Sequence, residues 1–253
     1  SLAVNALRAS GLPADHPALV GACRWLLTKQ TWKAGDWKAK APAAEPGGWY
    51  FQFENEFYPD IDDSAVVMTT LSKTVMPDES TKEAALKQAL KWAMPMQSSD
   101  GGWASYDKDN NKLFLNEIPF ADHKALLDPP TADLTGRMLE MLGHLGRTLA
   151  EPAAQRAIAF LRAQQEPEGC WFGRWGVNYI YGTWSVLAGL RAIGERMDQP
   201  YIRRATDWLI GRQNGDGGWG ESCHSYDDPR AAGRGTSTAS QTGWALMGLL
   251  HAG

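Results

Sequence analysis

An all-α fold, with helices alternating between the inner and outer layers of an incomplete α/α toroid, is what this 253-residue chain predicts. Three observations carry that expectation. Nine stretches have the apolar spacing and the start and stop residues of helices. A short unit, aromatic, Gln, then Gly-x-Trp, recurs four times. The helices also divide into two classes, those that end in this unit and those rich in small residues.

In chain order, 1–11 reads as a helix with Leu2, Val4 and Leu7 on one side and Gly11 as its stop. Residues 12–15 link it to a second helix over 16–30, which carries Trp25 and ends at Gln30. A polar loop with Gly35-Asp36-Trp37 follows, and 38–59 has no clear period but holds Gly47-Gly48-Trp49-Tyr50-Phe51. A helix led by acids runs over 60–73. The cycle then repeats. A helix over 80–96 brings Trp92, Gln97 and Gly101-Gly102-Trp103, and a long loop over 104–130 ends in Asp128-Pro129-Pro130. Helices at 131–146 and 152–165 follow, the latter with Phe160, Gln165 and Gly169-Cys170-Trp171. A helix at 179–194 precedes one at 200–213 with Trp208, Gln213 and Gly217-Gly218-Trp219, and 238–250 closes the chain.

The aromatic-to-Gln spacing is five residues in all four units, and Gln-to-Trp is seven once (30 to 37) and six three times. A self-similar unit of this length marks an array of helical hairpins. The Gln amide is expected to serve the orphaned carbonyls at its helix end, with Gly making the turn and Trp covering the amide. Most of the 12 Trp are therefore structural pins. The small-residue helices, at 2–11, 60–73, 134–146, 179–194 and 237–250, form the inner class. Five inner and four outer helices fall short of the twelve in a closed six-hairpin toroid, so the toroid is expected to be unfinished at its C-terminal end. The whole of 1–253 is read as a single domain.

Composition narrows function. With 43% hydrophobic and 21% charged residues the chain is globular. Its 25 basic and 29 acidic residues are scattered, which argues against a nucleic-acid partner. Cys23, Cys170 and Cys223 are widely spaced, without a CxxC, and point to a reducing compartment. No secretory leader is visible at residues 1–15, and no apolar run reaches the length of a membrane span. Gly215-Asp216-Gly217-Gly218-Trp219-Gly220 fits GxGxxG but follows a helix rather than a strand. Cys223-His224 with Asp227-Asp228 lacks metal-site spacing and reads as a surface loop, as does His123 beside Asp122.

The chemistry-bearing stretch is Tyr58-Pro59-Asp60-Ile61-Asp62-Asp63-Ser64-Ala65-Val66-Val67-Met68. With a helix beginning at Asp60, Asp60 and Asp63 share a face and Asp62 points elsewhere. Two like charges about 4 Å apart repel by roughly 4 kcal/mol at an effective dielectric of 20, equivalent to about 3 pK units. One carboxyl of the trio should therefore stay neutral and act as a proton donor.

Trp-Tyr-Phe-Gln-Phe (49–53) and Tyr-Pro-Asp-Ile-Asp-Asp-Ser-Ala-Val-Val (58–67) resemble the active-site region of bacterial squalene–hopene cyclases. So do Met-Gln-Ser-Ser-Asp-Gly-Gly-Trp (96–103) and Trp-Phe-Gly-Arg-Trp-Gly-Val-Asn-Tyr-Ile-Tyr-Gly-Thr (171–183). The four repeats resemble that family's QW units. The resemblance implies an α6–α6 barrel catalytic domain that works with a second α-barrel, with squalene between them. This chain is expected to begin just inside that domain and to stop before its last QW unit. The resemblance also implies a monotopic homodimer on the cytoplasmic face of a bacterial membrane.

By the same resemblance Asp62 is the proton donor, Asp60 and Asp63 support it, and Tyr181 belongs to the hydrogen-bond network behind the acid. Phe51, Tyr106 and Trp175 match aromatic residues that line the cavity and stabilise cations. Phe120 and Ala121 match the channel constriction, and Asp133 matches an acid ahead of the next inner helix. Arg137 stands where some members have His. A guanidinium cannot shuttle a proton near neutrality, but it can pair with Asp60 and leave Asp62 as the neutral acid. No cofactor and no metal are implied. The implied activity is acid-initiated polycyclisation of a linear polyprene such as squalene to hopene or hopanol. Cyclisation of a shorter isoprenoid or its diphosphate, and a non-catalytic domain, remain as alternatives.

Overall fold

The computed structural model describes residues 1–52, 54–110, 112, 114–115 and 127–253. Among the described residues there are nine α-helices: α1 (Leu2–Ala9), α2 (Pro17–Thr28), α3 (Ile61–Ser72), α4 (Glu79–Ala93), α5 (Ala132–His144), α6 (Pro152–Ala163), α7 (Tyr179–Ile193), α8 (Pro200–Ile210) and α9 (Ala239–Ala252). Short 3₁₀ turns lie at Asp36–Ala39, Cys223–Tyr226 and Pro229–Ala231. An isolated antiparallel bridge pairs Trp49 with Asp60. None of these helices is long and apolar enough to cross a membrane.

Local chemistry explains the boundaries. Asp60, Asp78 and Thr238 cap α3, α4 and α9, each accepting the N–H three residues on. Pro opens α2, α6 and α8, where a missing N–H costs nothing. Gly194 closes α7 at φ 90°, a conformation most side chains avoid. The α4 helix stops at Ala93, short of the predicted end at 96, just ahead of Pro95.

The chain forms two compact units. The first comprises residues 1–99 and 103–130, the second 100–102 and 131–253. In the first, α3 packs against α1, α2 and α4. In the second, α7 lies between α5 and α9, with α6 and α8 outside them. Burial follows the expected classes only in part: α7 hides twelve of its fifteen residues and α2 four of twelve, but α1 and α9, expected to be inner, hide one of eight and three of fourteen, fewer than α6 with six of twelve. Small residues let α5 and α7 touch backbone to backbone. A Cβ added at Gly136 would strike the Ser185 carbonyl, and one at Gly189 the Gly136 carbonyl.

Two expectations about the repeats need correction. The carbonyl at the helix end is served by the Trp, not by the Gln. Indole N–H groups of Trp49, Trp103, Trp171 and Trp219 donate to the last-turn carbonyls of Leu26, Ala93, Leu161 and Leu209 at 2.7, 2.9, 2.7 and 2.8 Å. In two of the units the Gln amide instead ties the turn to the next outer helix, while Gln213 serves only the turn carbonyl of Gly217. Gln30 Nε2 donates to Gly47 and Ala85 carbonyls, and Gln165 Nε2 to those of Gly169 and Tyr201.

The first repeat also closes on Gly47-Gly48-Trp49 rather than on Gly35-Asp36-Trp37. Trp37 is buried against Trp92, edge to face at 6.3 Å, and its indole N–H has no hydrogen-bond partner. The chain between Gln30 and Trp49 is an insertion that carries a second Trp, which a fixed spacing mistakes for the pin.

Candidate active site

In the first unit the start of α3 is fixed from two loops. The Asp60 N–H donates to the Trp49 carbonyl at 2.7 Å, and the Ile61 N–H to the Ser105 carbonyl at 2.9 Å. Ser64, one turn into the helix and fully buried, accepts the Trp49 N–H at 2.7 Å and donates to the Trp49 carbonyl at 3.2 Å. The Trp that pins α2 thus also sets the height of the acid cluster.

Asp60 caps the helix, accepting the Asp63 N–H at 2.9 Å, and is only 5% exposed. The Tyr106 hydroxyl donates to the same carboxyl. Burial is the main reason its pKa rises, and the nearby Asp63 and Asp62 charges add to it. The bonds from Asp63 N–H and Tyr106 oppose the rise, and the balance is a pKa of about 7. Tyr106, half-buried, has its phenol pushed up by burial and then by Asp60. Asp62 and Asp63 occupy the first turn of α3 and are partly exposed. The buried carboxyl of the trio is therefore Asp60, which holds its proton up to about pH 7 and stands next but one to the residue singled out by resemblance.

Beside this cluster an open hollow of about 230 Å³ is lined by Phe51, Gln52, Asn55, Tyr58 and Tyr106. Phe51 is 73% exposed, so its ring stands in the mouth of the hollow. Two cavity aromatics expected from the sequence, Phe51 and Tyr106, are thus brought to one place with the acid. Phe120 and Ala121 lie outside the described residues.

The second unit holds the other predicted residues. Asp133, fully buried, accepts the Thr131 hydroxyl at 2.5 Å, the Leu134 N–H at 3.0 Å and the Trp175 N–H at 3.0 Å. Trp175, half-exposed, has the Arg174 guanidinium 5.7 Å from its ring. Arg137 donates to the Tyr181 hydroxyl at 3.2 Å, faces the Trp184 ring at 5.3 Å and lies 3.8 Å from Glu140. Tyr181 in turn meets Trp184 and Trp244 edge to face, and those two indoles are stacked at 6.1 Å. A cation, a phenol and two indole faces are gathered at one end of α7.

Sequence reasoning missed three residues here. Trp49 falls in the stretch 38–59 without a clear period, and Ser64 is marked only as part of the acid-led helix. Glu221, which follows the last Gly-x-Trp, accepts the Asn178 and Ile180 N–H groups at 3.2 and 3.0 Å and so anchors the start of α7. The signal for Ser64 was present, since it sits four residues after Asp60 on a helix. Nothing local marks Glu221, because its partners are more than forty residues away. The GxGxxG stretch forms the last repeat's turn, and the Cys223–Tyr226 segment is a 3₁₀ turn. No group of three metal-ligating side chains occurs among the described residues.

The chain is 50% identical over 252 residues to the squalene–hopene cyclase of Alicyclobacillus acidocaldarius and 47% identical over 257 to that of Bradyrhizobium diazoefficiens. It is 48% identical over 272 residues to the dammaradiene synthase of Dryopteris crassirhizoma. Each alignment takes in 100% of this chain but only 40%, 39% and 40% of the relative, so the chain spans about two-fifths of their length.

Among solved structures, a type II terpene cyclase from Scytonema superposes with a TM-score of 0.61 at 18% identity, covering 93% of this chain and 58% of that one. The ent-copalyl diphosphate synthase of Streptomyces platensis gives a TM-score of 0.57 at 22% identity, covering 98% and 38%. These share its fold class, all-α and consistent with an incomplete α/α toroid. The profile of the squalene-hopene cyclase C-terminal domain matches residues 1–253, and the chain belongs to that family.

Proposed function

We propose that the protein containing this chain initiates polycyclisation of a linear polyprene such as squalene by protonating a terminal alkene, and releases hopene or hopanol. The observation that carries this reading is the buried carboxyl of Asp60, held near pKa 7 within the Asp60–Asp62–Asp63 trio. Protonating an isolated alkene requires an acid removed from water, and an ordinary surface carboxyl is ionised long before neutrality. The proton adds to one alkene carbon and leaves a tertiary cation on the other. Successive alkenes then attack it, each closing a ring and passing the charge on. Loss of a proton gives hopene, and capture of water gives hopanol.

Within the trio, delivery of the proton is assigned to Asp62 by its match to the family motif, with Asp60 and Asp63 as its support. Tyr181 and Arg137 are proposed as further support for the acid. Phe51, Tyr106 and Trp175 are proposed to stabilise the cations, an interaction worth about 2 kcal/mol or more when desolvated. Aromatic faces do this without trapping the cation as a carboxylate would. Action at a membrane surface and as a homodimer is likewise proposed from the resemblance.

The test is incubation with squalene in detergent, followed by product analysis. Hopene or hopanol from the wild type, and none from Asp62→Asn, is expected. Equal traces from both would contradict the reading. The dammaradiene synthase relative makes the identity of the product part of the test.

A further inference from the structure

We propose that Asp128 is a positioning residue for the acid cluster: its carboxylate gathers three consecutive backbone N–H groups and so fixes the loop that presents Tyr106 to Asp60. This deepens the proposed function and rests on the acid trio being its site. Asp128 Oδ1 accepts the Ser105 N–H at 3.2 Å, and Oδ2 accepts those of Tyr106 at 2.6 Å and Asp107 at 3.0 Å. Successive N–H groups turned onto one anion form a nest, which holds a short loop far more firmly than one hydrogen bond.

The loop so held does two things for the acid. The Ser105 carbonyl accepts the N–H of Ile61, the first residue of α3. The Tyr106 hydroxyl bonds to the Asp60 carboxyl. Both ends of the brace are stiff. Trp103 pins the near end through its indole bond to Ala93. At the far end, Leu127 is buried, and Pro129 confines the backbone of Asp128 to extended conformations. Twenty-two residues separate Tyr106 from Asp128, so no local pattern exposes the pairing.

The titratable groups bearing on Asp60 are Asp62 and Asp63 on its own helix and Tyr106 on the packed loop, with Asp128 behind Tyr106. Their signs make the inference testable. Losing the Tyr106 bond removes a donor that favours ionised Asp60 and so raises its midpoint. Losing only the Asp128 charge removes a repulsion and lowers it.

The experiment follows the Asp60 carboxyl carbon by ¹³C NMR against pH in wild type, Y106F, D128N and the double variant, with D60N identifying the signal. Y106F is expected to raise the midpoint by about one unit, the scale of a hydrogen bond to a charged group. D128N is expected to raise it likewise, and the double variant to match Y106F alone. A fall in D128N, no change, or additive shifts would overturn the proposal.

Should D128N fail to fold, the wild type carries the test through its amide signals. Ser105, Tyr106 and Asp107 N–H are expected to follow a single midpoint, that of Asp128, and independent midpoints would overturn it. None of these readouts needs turnover, so absence of product from squalene would count against the cyclase reading while the titration decides the role of Asp128.

Discussion

Asp60 and Asp133 invite comparison, because each is a buried aspartate at the start of an inner-class helix, and their carboxyls are partnered differently. Asp133 satisfies its carboxyl with a hydroxyl and two backbone N–H groups, and it is the sole acid in the first turn of α5. Asp60 receives one backbone N–H and one phenol, and two further acids stand on the turn above it. Burial is common to both. What separates the pair is the supply of donors set against the number of neighbouring charges. Asp133 is a brace between Thr131, α5 and the Trp175 segment, and Asp60 is a carboxyl kept protonated by its surroundings.

The largest effect expected from this contrast is on catalysis. If the trio initiates cyclisation, Asp62→Asn and Asp60→Asn each lower product formation by at least about 10²-fold, the scale of a lost general acid. Measured in the same assay, Asp133→Asn should lose activity only in proportion to the folded protein it loses. Comparable losses per folded molecule at all three positions would erase the distinction.

Stability should separate the two next, and with opposite sign. The folded state holds the Asp60 proton up to about pH 7, whereas an unfolded aspartate releases it near 3.8. Between those values the native state binds more protons than the unfolded state, so stability from this group falls as pH rises. The penalty is complete above pH 7, with a ceiling of about 4 kcal/mol for a shift of three units. Asn keeps the cap and has no charge to bury. Asp60→Asn should therefore raise the denaturation midpoint at pH 8 and leave it unchanged near pH 4. Asp133→Asn turns an NH₂ toward a backbone N–H and should cost about 1–3 kcal/mol at pH 8. Urea titrations at the two pH values check both signs.

The smallest effect concerns the pins. Trp219→Phe removes an indole bond to the last turn of α8 and should cost about 1 kcal/mol. Trp37→Phe removes an N–H that has no partner, and its cost should be limited to the lost ring volume. Equal losses of hydrogen-bond energy, judged against matched Trp→Leu variants, would restore Trp37 to the role that its spacing from Gln30 suggests.

Much of this was legible in the chain because it depends on near neighbours. Helix periods, caps at Asp60 and Thr238 and the stop at Gly194 each involve residues a few positions apart. The crowding of three carboxyls predicts a raised pKa from charge repulsion, whereas at Asp60 burial is the larger cause. Which of the three is buried was not legible, because that is decided by Trp49, Ser105 and Tyr106 from other loops. The same limit explains the misplaced first pin, since Gly35-Asp36-Trp37 and Gly47-Gly48-Trp49 differ only in what they fold against. Glu221 and Asp128 are the clearest cases. A single carboxylate facing distant backbone N–H groups leaves no periodic trace.

The central claim is that one carboxyl of the trio keeps its proton close to neutrality, and carboxyl-carbon NMR of the wild-type protein against pH tests it most directly. A signal with a midpoint of about 7 that disappears in Asp60→Asn is the predicted result. Midpoints for all three acids near 4, the range of an ordinary aspartate, would contradict it.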